Sequence, residues 1–274
     1  MMAAWLLAGL AFLFAAAGAM AQTSRPSALR DIGIDQKLNA QVPLDLEFRD
    51  ESGRRVKLAE YFHDKPVILT LVYYRCPMLC TLSLNGLVKT MRPLGFTAGK
   101  DFKIVTVSFD PREGPELAAE KKANYLKSYN RPEAAEGWHF LVGDEPAIRR
   151  LTETVGFRYA YDEATDQYAH ASGLILLTPQ GRISKYFYGI EYSSNDLRLG
   201  LTEASQNKIG SLAEQILLFC FHYDPTTGKY GLAIMNIIRL LGLITLSALG
   251  WFVFRSLRRD RRRRRRLATG EVSP

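Results

Sequence analysis

Three side chains in this chain of 274 residues have the types and spacing for metal or redox chemistry: Cys76, Cys80 and His170. The two cysteines form a C-x-x-x-C pair across Pro77, Met78 and Leu79. On a helix that spacing is about one turn, so both sulfurs lie on one face and can converge on a single ion. Two thiolates make a soft site, suited to Cu(I), zinc or an iron–sulfur cluster, and an added imidazole suits Cu(II) as well. A closed structural zinc site usually wants a fourth protein ligand, whereas His170 completes a set of three strong donors here. A metal-free dithiol–disulfide pair stays open beside the metal reading, although redox pairs are usually spaced C-x-x-C. The remaining cysteine sits in Cys220-Phe221-His222, a weaker soft site for which packing near a membrane surface is the simpler reading. His139, next to Trp138 in a strand, reads as structural, and His63 as solvated. Three cysteines are too few, and odd in number, for a disulfide framework.

The elements that must position these residues follow from hydrophobic patterning. Residues 44–48 and 55–58 flank a turn and read as a hairpin. Residues 66–74, PVILTLVYY, form a nearly continuous apolar run, the mark of a strand buried on both faces in a parallel sheet. Arg75 and Cys76 stand at its end, and a helix over residues 78–91 follows, with Leu79, Leu82, Leu87 and Val88 as its buried side. A second buried strand covers 102–109, a helix 115–129 with Leu117, Tyr125 and Leu126 inward, a third strand 138–142, a short helix 146–155 and a minor strand 157–161. Residues 174–177 and 182–188 form a hairpin, and a last helix runs over about 195–221. Strands alternating with helices, closed by an antiparallel pair and a helix, predict an α/β, thioredoxin-like fold. Chemistry in open α/β sheets collects at the carboxyl ends of the strands. That is where Cys76 and Cys80 fall, at a helix N-terminus that favours thiolate. His170 lies in the polar stretch 162–172, directly before a strand that starts beside the first turn of the cysteine helix in this plan.

Both ends carry membrane signals. Residues 1–21 read as a signal peptide cleaved after Ala21, with an uncleaved anchor as the alternative. A lead-in over 22–43, the globular domain over 44–222 and a linker over 223–231 come next. Residues 232–254 are long and apolar enough to span a bilayer. The tail, 255–274, holds nine arginines against Asp260 and Glu271, which accounts for +7 of the net charge of +8. With +1 left for the rest of the chain, there is no basic face of the kind a nucleic-acid binder spreads over its fold. By the positive-inside rule the tail is cytoplasmic, so the domain is periplasmic or otherwise extracytoplasmic and held at the inner membrane.

Three motifs taken in order resemble the Sco/SenC family: Tyr73-Tyr74-Arg75-Cys76-Pro77-Met78-Leu79-Cys80, then Val107-Ser108-Phe109-Asp110-Pro111, then His170 before residues 174–181. Members of that family are thioredoxin-fold copper proteins that help assemble the CuA centre of cytochrome c oxidase. The resemblance implies one copper ion on Cys76, Cys80 and His170, with Asp110 in a loop flanking the site. It implies a metallochaperone rather than an enzyme, with thiol–disulfide reductase or sensor roles as alternatives. The implied partners are the oxidase subunit that carries CuA and other copper chaperones. Thr81 stands where the family often has proline, Ala169 where it has aspartate, and the span follows the domain instead of preceding it. Asp110, Arg112 and Glu113 read equally as a solvated loop and as a docking surface.

Overall fold

The computed structural model describes residues 32–210, 223–224, 229–230 and 232–268. The expected signal peptide, Cys220 and His222 lie outside the described residues. In chain order the elements are β1 (Gly33–Ile34), the hairpin β2 (Glu47–Arg49) and β3 (Arg55–Lys57), then β4 (Val67–Val72), α1 (Leu79–Met91), β5 (Lys103–Ser108), α2 (Pro115–Tyr129) and β6 (Trp138–Leu141). There follow α3 (Glu145–Thr154), β7 (Phe157–Asp162), β8 (Gln167–His170), β9 (Gly173–Leu177), β10 (Ile183–Tyr188) and α4 (Ser194–Ser205).

A five-stranded sheet in the order β10-β9-β4-β5-β6 forms the centre. All six residues of β4 are buried. The strand pairs parallel with β5 from Val67↔Lys103 to Val72↔Ser108, and antiparallel with β9 on its other edge. Fully burying one such aliphatic side chain contributes about 1.5–3 kcal/mol, which explains why the least polar run in the domain takes the central position. The buried hydroxyls of this pair are satisfied: Thr70 Oγ1 donates to Thr106 Oγ1 at 2.9 Å, and Trp138 Nε1 donates to the same atom at 2.9 Å. β4–α1–β5 and β5–α2–β6 step across the sheet in one direction, so right-handed crossovers put both helices on one face. There α1 packs against α2 and also meets α4. The architecture is the thioredoxin-like plan expected from the order of elements.

Four details differ from expectation. The polar stretch 162–172 holds a strand not expected there: Gln167–His170 forms β8, paired antiparallel with β7 from Tyr159↔His170 to Asp162↔Gln167. The turn is closed by Asp166 at φ 51°. The lead-in is partly ordered: Gly33–Ile34 adds to β7, giving a separate sheet in the order β1-β7-β8. Leu82 is 42% exposed, since the buried stripe of α1 runs through Cys80, Leu84, Leu87, Val88 and Met91, a helical spacing that leaves position 82 outside. Finally, the helix expected over 195–221 stops at Ser205, and of the rest only residues 206–210 are described. Asn207 turns left-handed at φ 59°, and the Lys208 amide donates back to Glu203 O at 3.0 Å, a common way to end a helix.

The chain divides into two compact units between Ile209 and Gly210. In the second, β11 (Tyr223–Asp224) pairs with β12 (Lys229–Tyr230) ahead of α5 (Leu232–Ala268). Within α5, Leu240–Arg259 is long and apolar enough to cross a membrane, and none of it is buried against protein.

Gly86 shows how closely α1 is docked. A Cβ there would stand 1.8 Å from Ile190 O, in the segment where Tyr192 Oη bonds Ser83 Oγ at 3.0 Å and Thr90 Oγ1 donates to Tyr192 O at 3.0 Å. Alanine normally improves a helix by up to about 1 kcal/mol over glycine. Here the backbone clash outweighs that gain. We expect Gly86→Ala to lower stability by about 1–3 kcal/mol in denaturant unfolding; an unchanged or raised midpoint would refute the tight docking.

Candidate metal centre

The end of β4 delivers the site. After Val72 the chain leaves the sheet, turns through a Cys76 N–Tyr73 O bond at 3.2 Å, and enters α1. No side chain caps that helix. Cys76 Sγ instead accepts the Cys80 amide at 3.3 Å, so its sulfur faces the positive end of the helix, where an anion is favoured. Cys80 Sγ accepts the Tyr73 amide at 3.4 Å. The two thiols are free and buried, with Cys76 8% and Cys80 4% exposed.

β8 brings the third donor. His170 Nε2 lies 3.3 Å from Cys80 Sγ, and Nδ1 lies 2.7 Å from Ala171 O. A carbonyl can only accept, so Nδ1 carries the hydrogen and Nε2 presents its lone pair to the sulfurs. Cys76, Cys80 and His170 together offer three ligand atoms all within 4.8 Å of one another. An ion bound at about 2.0–2.3 Å from each requires donors of this type and about this separation, so the residues fit a small soft ion. Tyr73, Phe109 and Phe157 set their rings 5.8, 5.2 and 6.2 Å from the imidazole, and this apolar wall strengthens every charge interaction inside.

The two thiols are unequal. The hydrogen bond from the Cys80 thiol holds Cys76 far below the ordinary thiol range against the cost of burial, and the Cys80 and Met78 amides add to it. Burial pushes Cys80 far above that range, and the neighbouring Cys76 reinforces the shift. At neutral pH the pair therefore holds one negative charge, on Cys76, and one proton, on Cys80.

Sequence reasoning missed how Glu113 is used. It is buried, and its carboxylate accepts the Tyr74 and Arg75 amides at 2.7 Å each and Ser108 Oγ at 2.5 Å. It is therefore neither solvated nor a docking group. It pins the backbone just before Cys76 to the end of β5. Its burial raises its pKa, while these bonds favour the carboxylate. The signal available in the sequence was an acidic residue a few positions after a buried strand, which does not reveal burial. Asp110 is buried in the loop after β5 and Tyr168 Oη donates to its Oδ1 at 3.4 Å, joining that loop to the strand of His170. His139 packs on the Tyr61 ring at 4.5 Å and is driven down to about 4 by burial, with Lys122 adding to it, as suits a structural histidine. His63 is exposed.

The unequal pair makes a direct expectation. In reduced, metal-free protein, iodoacetamide should label Cys76 before Cys80, at a rate nearly flat from pH 8 down to 5. A thiol of ordinary pKa, about 8.5, loses its thiolate roughly several-hundred-fold over that interval. Peptide mass spectrometry reads the sites, and a Cys76 rate that follows the ordinary titration would contradict the assignment.

With this geometry in hand, the similarities to known proteins are specific. The SCO1/SenC family model matches residues 35–201. The SCO1 protein homolog of Bacillus subtilis (strain 168) is 26% identical over 201 residues, covering 70% of this chain and 90% of that protein. The crystal structure of an Aquifex aeolicus VF5 protein, named as a candidate electron-transfer protein, aligns with a TM-score of 0.55 at 26% identity over 63% of this chain and 96% of the other. A SCO1/SenC family lipoprotein of Bacillus anthracis str. Ames has the same fold, with a TM-score of 0.51 at 18% identity over 63% of this chain and 99% of that one. The family match spans more than half of the sequence and contains both cysteines, the buried Glu113 and His170, and the chain therefore belongs to the SCO1/SenC family of copper-binding cytochrome c oxidase assembly proteins.

Proposed function

We propose that this chain is a membrane-anchored, extracytoplasmic metallochaperone that carries one copper ion as cargo on Cys76, Cys80 and His170 and passes it to the oxidase subunit bearing CuA. The observation that carries the reading is the convergence of two sulfurs and one imidazole nitrogen within 4.8 Å. Cys76 is ready as a thiolate, Cys80 gives up its proton as the ion enters, and His170 Nε2 offers its lone pair without rearrangement. Two thiolates suffice for Cu(I), which accepts low coordination and soft donors; the imidazole adds the harder donor that Cu(II) needs. Met78, between the two cysteines in sequence, and Leu82, one turn further along α1, are exposed. That surface suits a partner whose own soft ligands take the ion by stepwise exchange.

The same reading divides the chain into a signal peptide over 1–21, a lead-in over 22–43, the copper domain over 44–222, a linker over 223–231, a span over 232–254 and a cytoplasmic tail over 255–274. Support comes from the unburied apolar stretch Leu240–Arg259 within α5 and from the arginines that follow it. The guanidiniums of Arg255 and Arg258 lie 5.1 and 4.3 Å from the Trp251 and Phe254 rings, an arrangement suited to the level of lipid headgroups.

A second reading has its own support. One thiolate beside one buried thiol is also the arrangement of a dithiol reductant, in which the exposed-side sulfur attacks and the other resolves. One comparison separates the two. Full-length protein in detergent, unmutated and as His170→Ala, is titrated with Cu(I) and Cu(II). The chaperone reading expects one equivalent of either ion on the unmutated protein. It expects Cu(II) binding weakened at least about a hundredfold in His170→Ala, with Cu(I) binding changed by less than about tenfold. Failure to bind either ion refutes it, and disulfide exchange with an oxidised oxidase peptide that proceeds equally without His170 favours the reductant.

A further inference from the structure

His170 is held by a different part of the molecule from the cysteines. Cys76 and Cys80 follow β4, at the middle of the central sheet. β8 is the edge of a separate small sheet, where its one strand neighbour among the described residues is β7. Edge hairpins are among the segments that open at least cost. Some interaction must fix this one against the cysteine loop for Nε2 to sit 3.3 Å from Cys80 Sγ.

Arg112 makes that connection. It stands in the loop after β5, and its fork grips Asp110 with Nε 2.9 Å from Oδ1 and Nη2 2.9 Å from Oδ2. Asp110 is buried, so this is a bidentate, charge-assisted pair with one partner shielded from solvent, and such pairs are among the stronger protein hydrogen bonds. The other side of the same guanidinium faces the hairpin. Nη1 donates to Asp166 Oδ1 at 2.8 Å, in the β7–β8 turn, and lies 3.3 Å from Tyr161 Oη. Tyr161 Oη donates to the same Asp166 oxygen at 2.6 Å. The guanidinium carbon lies 5.0 Å from the Tyr161 ring centroid and 5.7 Å from that of Tyr168. Tyr168 is two residues before His170, on the same face of β8, and its ring packs at 5.5 Å on both Tyr73 and Phe109. One planar cation thus joins a buried carboxylate of the central domain to the turn and both strands of the hairpin. A lysine ammonium lacks the planar fork to do the same.

We infer that Arg112 is a positioning residue that clamps the His170 hairpin over the cysteine pair and so governs how firmly the site holds copper in its oxidised form. The inference rests on the copper reading above. Cu(I) on the two sulfurs needs no hairpin, whereas Cu(II) needs the imidazole, so loosening the clamp separates the two ions. Arg112 touches neither ion itself.

The test uses full-length protein in detergent, unmutated and as Arg112→Lys, Arg112→Ala, Asp166→Asn and the double variant Arg112→Ala/His170→Ala. Hydrogen exchange on metal-free protein is measured first. Arg112→Ala should speed exchange across residues 167–170 and leave β4 protected; unchanged exchange there overturns the positioning role without reference to copper. Copper titrations follow. Arg112→Lys and Arg112→Ala should weaken Cu(II) by about tenfold or more, with the thiolate-to-Cu(II) absorption moving toward that of His170→Ala, while Cu(I) affinity stays within about threefold. Asp166→Asn, a change at an exposed residue, should move the same way by less. The double variant should bind Cu(II) no more weakly than His170→Ala alone. Equal loss of both ions, or additive losses in the double variant, would refute action through His170. Unmutated protein that binds neither ion would sink the copper reading, and the clamp would then stand or fall on hydrogen exchange.

Discussion

The site depends on one buried carboxylate. Glu113 lies between the ends of β4 and β5 and accepts two backbone amides from the segment that leads into Cys76, together with the Ser108 hydroxyl. Where a strand leaves a sheet, its amides lose their ladder partners, and buried amides without partners are costly. Glu113 meets that need at the point where the chain must turn toward chemistry. The Phe109 amide bonded to Val72 O at 2.8 Å ties the same two strand ends from the other side. The segment that leads into Cys76 is therefore tied to the end of β5 by side chain and backbone, without a disulfide.

From that constraint the chemistry follows in order. A fixed loop places Cys76 Sγ under the Cys80 amide and Cys80 Sγ under the Tyr73 amide. Burial disfavours two adjacent thiolates, so one proton stays in the pair, on the more deeply buried Cys80, whose thiol hydrogen-bonds the Cys76 thiolate. The Ala171 carbonyl then sets the imidazole tautomer so that its free nitrogen faces the sulfurs. The contacts that place the two sulfurs and the imidazole are hydrogen bonds between backbone and side chain, to which Thr81 and Ala169 are not parties.

The sequence made the frame legible because the frame is periodic. Six buried residues in β4, the alternation of strands and helices, and the cysteine spacing at a strand end are all local patterns, and they located Cys76 and Cys80 correctly. What was not legible depends on contacts distant in sequence. β8 is four residues long, too short for a two-residue period to stand out, and its polar surroundings mimic a loop. Leu82 is apolar and still exposed, because the phase of α1 is set by α2 and α4 packing on it, which the helix sequence alone does not contain. Glu113 looked like any loop acid, since burial by two amides from residues 74 and 75 leaves no trace around residue 113. Arg112 hid for the same reason, because its partners Asp110, Tyr161, Asp166 and Tyr168 are spread over two loops and a hairpin.

Copper chemistry gives this division of the site a purpose. A carrier must hold its cargo firmly in transit and yield it on contact with the client, and those demands conflict if every ligand is equally rigid. In the proposed site the two sulfurs follow the most buried strand, at and just before the start of its helix, while the imidazole rides on the edge of a small sheet. Displacing the hairpin leaves a two-sulfur site intact and breaks no bond of the central sheet. Displacing a cysteine would require breaking the Glu113 anchor or the start of α1. On the proposed copper reading, the fold makes the imidazole the ligand that leaves first, and its loss costs Cu(I) little and Cu(II) much. On that reading, oxidation state and ease of release are linked through the hold on one hairpin, which is made by side chains, Arg112 and the Tyr168 and His170 ring contacts among them, and not by the central sheet.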